Sequence, residues 1–568
     1  MKSIKEVDLK PKPGKKYWTN CHREWREEFI YFVMVDRFHD SRKRRPLEFK
    51  DRHHGFGEEH ELQLSCGGTL RGIINHLAYI KDLGCTAIWL SPVFKNNPES
   101  YHGYAIENFL EVDERWGTKE DLAELVDMAH HLDMRVFLDI VLHHSGDNWS
   151  YPGGYDYYYS NGEQFPMERW RYDEGPVPVE LRNPDLYNRN GQIRNFDAYP
   201  ETQDGDFFRL KTFRNDDSLE ALYVQDLLIT IHCYWIRETD VDGFRLDAVK
   251  HMGPESISRF CSYVREYAYS LGKRNFFLFG ELLGGEETYN HYIGPKTSIA
   301  YEDKNLYYGL NSVLDFPLYQ ILEGVIKGKD SPGKLIHRYE SLQRGALNRG
   351  EYGEYLVTFI DNHDQVGAAI KRRFGYNATP EQVIAGIGFL LCALGTPCIY
   401  YGTEQGMGGC GNSDVFIRES MFNLHDYNTN ILNSDSTIYK SIAAIAALRK
   451  KSPVLKFGRM FMRKIASDGI NFHFPHCEKC TLAFSRILFN EEILVVYNSD
   501  VSQSKEECIE IDYRINKNSK HLQPLYGYEN CVDVLQPKNG SKKRFIRLYL
   551  QPKQFIILKS TPGERTNN

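Results

Sequence analysis

Eight short apolar runs recur between residues 29 and 406, most of them separated by a helical pattern. That alternation constrains the fold more than any other feature of the chain. The runs are FIYFVMVDRF (29–38), CTAIWLSPVF (85–94), MRVFLDIVLHH (134–144), DGFRLDAVKH (242–251), FFLFGELL (276–283), SVLDFPLY (312–319), YLVTFIDNHD (355–364) and PCIYYGTEQG (397–406). Amphipathic helical spacing falls between them at 70–83, 119–132, 219–237, 254–271 and 380–394. Near-continuous apolar strands with intervening helices specify a parallel sheet covered on its outer face. Eight such units close into a (β/α)8 barrel, so the fold class is α/β with a TIM barrel at its centre.

Two stretches depart from the alternation. Residues 145–216 lack a clear helix and are rich in Gly, Asn, Asp, Tyr and Pro, as in YPGGYDYYYSNGEQFP. A connection of that length is usually functional, and it reads as a subdomain inserted after strand three. From residue 455 the pattern becomes short alternating strands: RMFMRKI, INFHFP, TLAFSRI, EILVVYNS, RFIRLYL and QFIILKS. These specify a C-terminal antiparallel β-sandwich domain. The expected division is an N-terminal extension (1–28), barrel (29–144), insert (145–216), barrel (217–454), β domain (455–560) and tail (561–568).

The net charge of −7 argues against nucleic acid or an anionic membrane as partner and favours a neutral ligand. The uncharged run at 383–401 nearly reaches bilayer length, but Gly395-Thr396-Pro397 cuts it into a buried helix and a buried strand. Twelve cysteines without a regular framework, and an N-terminal stretch without an apolar signal core, point to the cytoplasm. Acceptor tripeptides at Asn148, Asn377 and Asn539 carry little weight in that setting.

In a barrel of this kind the active site gathers at the C-terminal ends of the strands. Strand three ends at Asp139, His143 and His144, and strand four at Arg245, Asp247, Lys250 and His251. Strand five ends at Glu281, and strand seven at Asp361, Asn362, His363 and Asp364. Arg245 and Asp247 are two apart and share a face, so the guanidinium can hold the carboxylate ionised. An ion pair alone would explain that one stretch, but packing does not explain four such groups in register.

DIVLHH, GFRLDAVKH, GEL and FIDNHD resemble, in order and spacing, the four signature regions of the α-amylase family of glycoside hydrolases. YHGY (101–104), YYGTEQG (400–406), the insert and the terminal β domain extend the resemblance over about residues 29–560. The resemblance implies a retaining glycosidase acting on α-1,4-glucosidic bonds of starch, glycogen or maltodextrins. It implies Asp247 as nucleophile, Glu281 as acid/base and Asp364 as transition-state stabiliser, with Arg245 supporting the nucleophile. His144 and His363 match the histidines that hold hydroxyls of the cleaved sugar, and Tyr104 the ring on which it stacks. Lys250 and His251 match residues near the leaving-group sites, and Asp139 matches a buried structural residue. A retaining mechanism needs Glu281 protonated at the start, so Glu281 should lack a close cation and feel neighbouring negative charge.

Relatives often bind calcium between barrel and insert through an asparagine of the first region and an aspartate of the insert. Here His143 stands at the asparagine position. Of two candidates for the aspartate motif, PDLY (184–187) lies far upstream, and FFRLKT (207–212) puts Arg209 at the ligand position. Calcium prefers oxygen donors, so the expectation is no metal and no cofactor. HFPHCEKC (473–480) offers His473, His476, Cys477 and Cys480, but without a second suitable pair it reads as a hairpin tip rather than a zinc site. DSRKRR (40–45) reads as a solvated loop. A transglycosylase or isomerising enzyme of the same family is the nearest alternative. A non-catalytic barrel subunit would have lost the carboxylates that this chain keeps. The loop 284–311 and the insert are expected to shape substrate length; oligomeric state is not written in the sequence.

Overall fold

The eight apolar runs each supply one strand of a single parallel sheet in the computed structural model. The structure describes residues 1–15, 18–47, 55–171, 175–297, 306–345, 355–365, 368–538 and 540–560. The strands are β1 (Ile30–Val33), β2 (Ala87–Leu90), β3 (Arg135–Ile140), β4 (Gly243–Leu246), β5 (Phe277–Gly280), β6 (Ser312–Val313), β7 (Val357–Thr358) and β8 (Thr396–Tyr400). Their spatial order is β6-β5-β4-β3-β2-β1-β8-β7, and a parallel bridge from Leu314 to Val357 closes the ring. Every strand residue is buried, because side chains alternate between the barrel interior and the helix-covered exterior.

The helices fall where the spacing placed them. They include Lys119–His131 with a Thr118 capping box, Leu219–Thr239, Pro254–Ser270 and Pro380–Cys392. Thr396–Tyr400 follows the last of these after Gly395 at φ 109, so the membrane-like run is a buried helix and a barrel strand. No described helix is long and apolar enough to cross a membrane. The barrel interior is largely aromatic. Phe32 stacks on Trp89 at 3.7 Å; Phe137 meets Phe279 edge to face, and Phe277 packs against both at tilted angles. Trp25, from the N-terminal extension, stacks on Phe277 at 4.4 Å and plugs the bottom of the barrel. The functional residues therefore rest on a dry, rigid floor.

The insert is irregular, as expected, and is tied down by two short ribbons. His144–Ser145 pairs with Lys211–Thr212, and Trp149–Ser150 with Arg169–Trp170. The N-terminal extension clasps it: the Glu180 carboxylate accepts from Ile4 N at 3.0 Å and from the Ser3 hydroxyl.

The C-terminal domain is an antiparallel sheet of nine strands. Its two halves face each other across Ala483, Leu494, Val496, Ile509, Ile546, Leu548, Ile556 and Leu558. The opposite face, with Phe484, Val495, Tyr497 and Ile557, joins the barrel's own core. INFHFP is not a strand; only His473 bridges to Ile465. Conversely Lys505–Ile511, His521–Tyr526 and Val532–Leu535 are strands that the apolar pattern did not reveal. The first alternates Ile and Cys with glutamates and the second contains a proline, so neither reads as an apolar run. Asn539, the tail 561–568 and residues 298–305 of the 284–311 loop lie outside the described residues.

Candidate active site

Parallel register sets the site. β3, β4 and β5 are adjacent, with Arg245 paired to Asp139 on one side and Phe279 on the other. Side chains at Asp139, Arg245 and Glu281 consequently enter the barrel mouth at neighbouring positions. Arg245 is fully buried and holds three carboxylates at once. Nη1 lies 2.8 Å from Asp139 Oδ1 and 2.7 Å from Asp247 Oδ1, and Nη2 lies 2.8 Å from Glu281 Oε2. Trp89 sits under the guanidinium with its centroid 5.2 Å away. One cation among three carboxylates, two of them buried and Glu281 partly so, leaves excess negative charge, which favours retention of a proton by the cluster.

Asp247 and Glu281 are held side by side by the two amino groups of that guanidinium. Burial pushes the Glu281 carboxyl up, Arg245 opposes that, and the charge of Asp247 adds to the rise. Burial pushes the Asp247 carboxyl up as well, to about 6 against the opposing Arg245, so the tendency to keep a proton belongs to the pair and burial offsets the expected hold of Arg245 on an ionised Asp247. The expectation that Glu281 would lack a close cation is wrong, since Arg245 contacts it directly. The burial of Glu281 and the charge of Asp247 raise its carboxyl in spite of that cation. Asp364 is partly buried just beyond β7. Burial first, then the charge of Glu281, push its carboxyl up to about 6, so the two carboxylates feel each other's charge. Asn362 holds its backbone, donating to Asp364 O at 2.9 Å.

Tyr104, His144 and His363, the residues that the resemblance assigns to sugar binding, lie together. The Tyr104 hydroxyl donates to Asp139 Oδ2 at 3.0 Å and lies 2.8 Å from His363 Nε2, and the two rings stack at 5.7 Å. His144 Nε2 is 3.2 Å from Tyr104 O. Burial pushes the His144 imidazole down to about 3, which leaves a neutral ring suited to hydroxyl groups. Asp139 also accepts from Trp89 Nε1 at 3.0 Å. It is the hub that orients Tyr104 and Arg245, and no sequence reading of strand three alone could give that.

Lys250 and His251 lie on the turn after β4 and both reach the insert. Lys250 pairs with Asp197, and His251 Nδ1 contacts Thr202 O. Beside them are rings the sequence reading did not single out. Phe207 meets the His251 ring at 4.3 Å, Phe196 meets it at 6.0 Å, and Phe208 lies 6.3 Å from Phe196. Phe208 is 70% exposed at φ 55, a conformation rare for a bulky residue. Arg418 was also missed. It donates to His363 O at 2.8 Å and to the Tyr101 hydroxyl at 3.1 Å, and its charge bears on Asp364. It lies in GCGNSDVFIR, outside every apolar run.

The family's calcium position does not suit a cation here. The His143 ring packs between Phe207 at 4.8 Å and His251 at 5.7 Å, and its Nδ1 is 3.2 Å from His144 Nδ1. These are ring nitrogens and carbon, not the oxygen donors calcium requires. No cluster of three His, Cys, Asp or Glu among the described residues could hold a metal. The placement of Arg209 beside this position was wrong. Arg209 is exposed and pairs with Asp156 at 3.1 Å. Thr212 and Phe213, a few residues on, lie against His144 and His143 instead.

A family model described as the α-amylase catalytic domain matches residues 32–435. The β/α-amylase of Paenibacillus polymyxa is 30% identical over 494 residues, covering 85% of this chain and 35% of that protein. The cyclomaltodextrin glucanotransferase of Klebsiella oxytoca is 28% identical over 472 residues, covering 77% of this chain and 66% of its own length. The chain thus spans about a third of the first relative and just under two thirds of the second. A crystal structure of an Anoxybacillus α-amylase superposes with a TM-score of 0.70 at 26% identity, covering 95% of this chain and 99% of that one. Barrel, insert and the carboxylate cluster around Arg245 all fall within the matched residues 32–435, and the chain belongs to the α-amylase family.

Proposed function

We propose that the protein is a retaining glycoside hydrolase that cleaves α-1,4-glucosidic bonds of starch, glycogen or maltodextrins. The observation that carries this is that Asp247 and Glu281 bind the same guanidinium, at 2.7 and 2.8 Å. Retaining enzymes hold their two carboxyl groups about 5 Å apart, whereas inverting enzymes separate them by about 6.5–9.5 Å to admit a water. Glu281 protonates the leaving oxygen while Asp247 attacks the anomeric carbon, giving a covalent glycosyl-enzyme. Glu281, now ionised, takes a proton from water, which releases the sugar with its configuration retained. Asp364 offers negative charge to the oxocarbenium-like transition state. His144, His363 and Tyr104 hold the reacting sugar.

The rings of Phe196, Phe207 and Phe208 beside Lys250 and His251 support transglycosylation as a second activity. An exposed ring on the leaving-group side can retain an acceptor sugar against water. The imidazole and phenyl packing at His143 supports action without calcium. Twelve unpaired cysteines support a cytoplasmic setting. Incubation with a panel of α-glucans, followed by product sizing and anomer determination, tests the reading. Shortened α-anomeric products are expected, with larger transfer products falling in Phe208→Ala. Initial β-anomers or intact substrates would defeat it.

A further inference from the structure

HFPHCEKC contains the chain's one pair of cysteines separated by two residues. Glu478 and Lys479 form the two central positions of a tight turn, and Lys479 adopts the left-handed φ of 59 that the second central residue of a type II turn needs. Cys477 and Cys480 therefore occupy the ends of a β-turn, whose Cα atoms lie within about 7 Å. Disulfides span Cα separations of about 4.4–6.8 Å. The surroundings hold the turn in this shape. Cys480 O accepts from the Ser499 hydroxyl at 2.7 Å, and Lys479 O accepts from Lys505 Nζ. On the barrel side Gly328 packs so closely that an added Cβ would stand 2.4 Å from Ser499 O and 3.7 Å from Lys479 Cγ. Cys477 is exposed and Cys480 is buried.

We propose that Cys477 and Cys480 form a reversible dithiol–disulfide site that reacts with low-molecular-weight disulfides such as oxidised glutathione. The exposed Cys477 thiolate attacks one sulfur of glutathione disulfide and expels a glutathione thiolate. Cys480 then gives up its proton, attacks Cys477 Sγ and expels the second glutathione. Two protein thiols become one disulfide, and one glutathione disulfide becomes two glutathiones. The other thiols lack this arrangement: Cys66 is held by Arg37 and pushed up to about 12 by burial, and Cys85, Cys261, Cys392 and Cys398 are buried. The neighbouring Cys480 raises the Cys477 thiol, so the reaction quickens as pH rises above neutrality.

The test uses the full chain, treated with oxidised glutathione in mildly alkaline buffer, quenched with an alkylating reagent, digested and mapped by mass spectrometry. The peptide holding both cysteines should lose two hydrogens, carry no glutathione and be restored by dithiothreitol. Cys480→Ser should retain glutathione on Cys477. Lasting glutathionylation of Cys477 in the unsubstituted protein, or full alkylation of both thiols after treatment, would overturn the proposal.

Discussion

At the barrel mouth three carboxylates converge on Arg245. At the junction with the insert, beginning only four residues beyond Asp139 in the chain, His143, Phe207 and His251 meet as uncharged rings. The two regions share β3 but solve burial differently. The mouth takes charges out of water and must compensate them with one guanidinium and tight hydrogen bonds. The junction buries imidazoles whose charged form is suppressed: the neutral His251 ring is pushed down to about 4, mainly by burial. The mouth should therefore be intolerant of any change in charge, whereas the junction should depend on shape.

The largest expected effect is at the mouth. Glu281→Gln keeps the shape but removes the transferable proton, and should lower kcat by a factor on the order of 10²–10⁴ with little change in glucan binding. Steady-state kinetics and isothermal titration check both halves. Arg245→Met should come next. It strands three carboxylates, and losing one partner of a buried ionic network costs about 3–5 kcal/mol, readable as a lower denaturation midpoint. An unchanged midpoint would mean that the cluster is not charged as described.

The pH dependence of stability sharpens the contrast further. The Asp364 carboxyl is raised from 3.8 to about 6 in the folded protein. The folded state thus binds the proton more tightly than the unfolded chain. Its contribution to stability is fully present below pH 3.8 and is lost as pH rises through about 6. Asp364→Asn should flatten part of that decline in urea titrations; a decline equally steep in the variant would remove Asp364 as its source. The smallest effect belongs to the junction. A metal at a hundredfold excess over its Kd would add about 2.7 kcal/mol, so chelation would lower Tm noticeably if calcium sat there. The ring packing predicts no change in Tm or activity with EDTA, and a clear drop would break the comparison.

The same contrast explains what the sequence revealed. Residues at strand ends are placed by period-two alternation and by register, so the positions of Asp247, Glu281 and Asp364 at the barrel mouth were legible, while their roles came from the family resemblance. Arg245 beside Asp247 was equally legible. Its contact with Glu281 was not, because that bond crosses between β4 and β5 and depends on the arginine's rotamer. The insert carries no period, so the segment beside His143 was misplaced by a few residues, at Arg209 instead of Thr212 and Phe213. Arg418, Phe207 and Phe208 lie on irregular chain and were invisible for the same reason. In the β domain, a glutamate-rich strand and a proline-containing strand hid behind their composition, while INFHFP had the composition of a strand without a partner to pair with.

The central claim is that Asp247 is the nucleophile. An α-maltosyl fluoride needs no acid to leave, so Glu281→Gln should form the glycosyl-enzyme and then stall without its base. Mass spectrometry of the denatured variant should show one maltosyl adduct on the peptide carrying Asp247. An adduct on another residue, or none while the fluoride is consumed, would contradict the account.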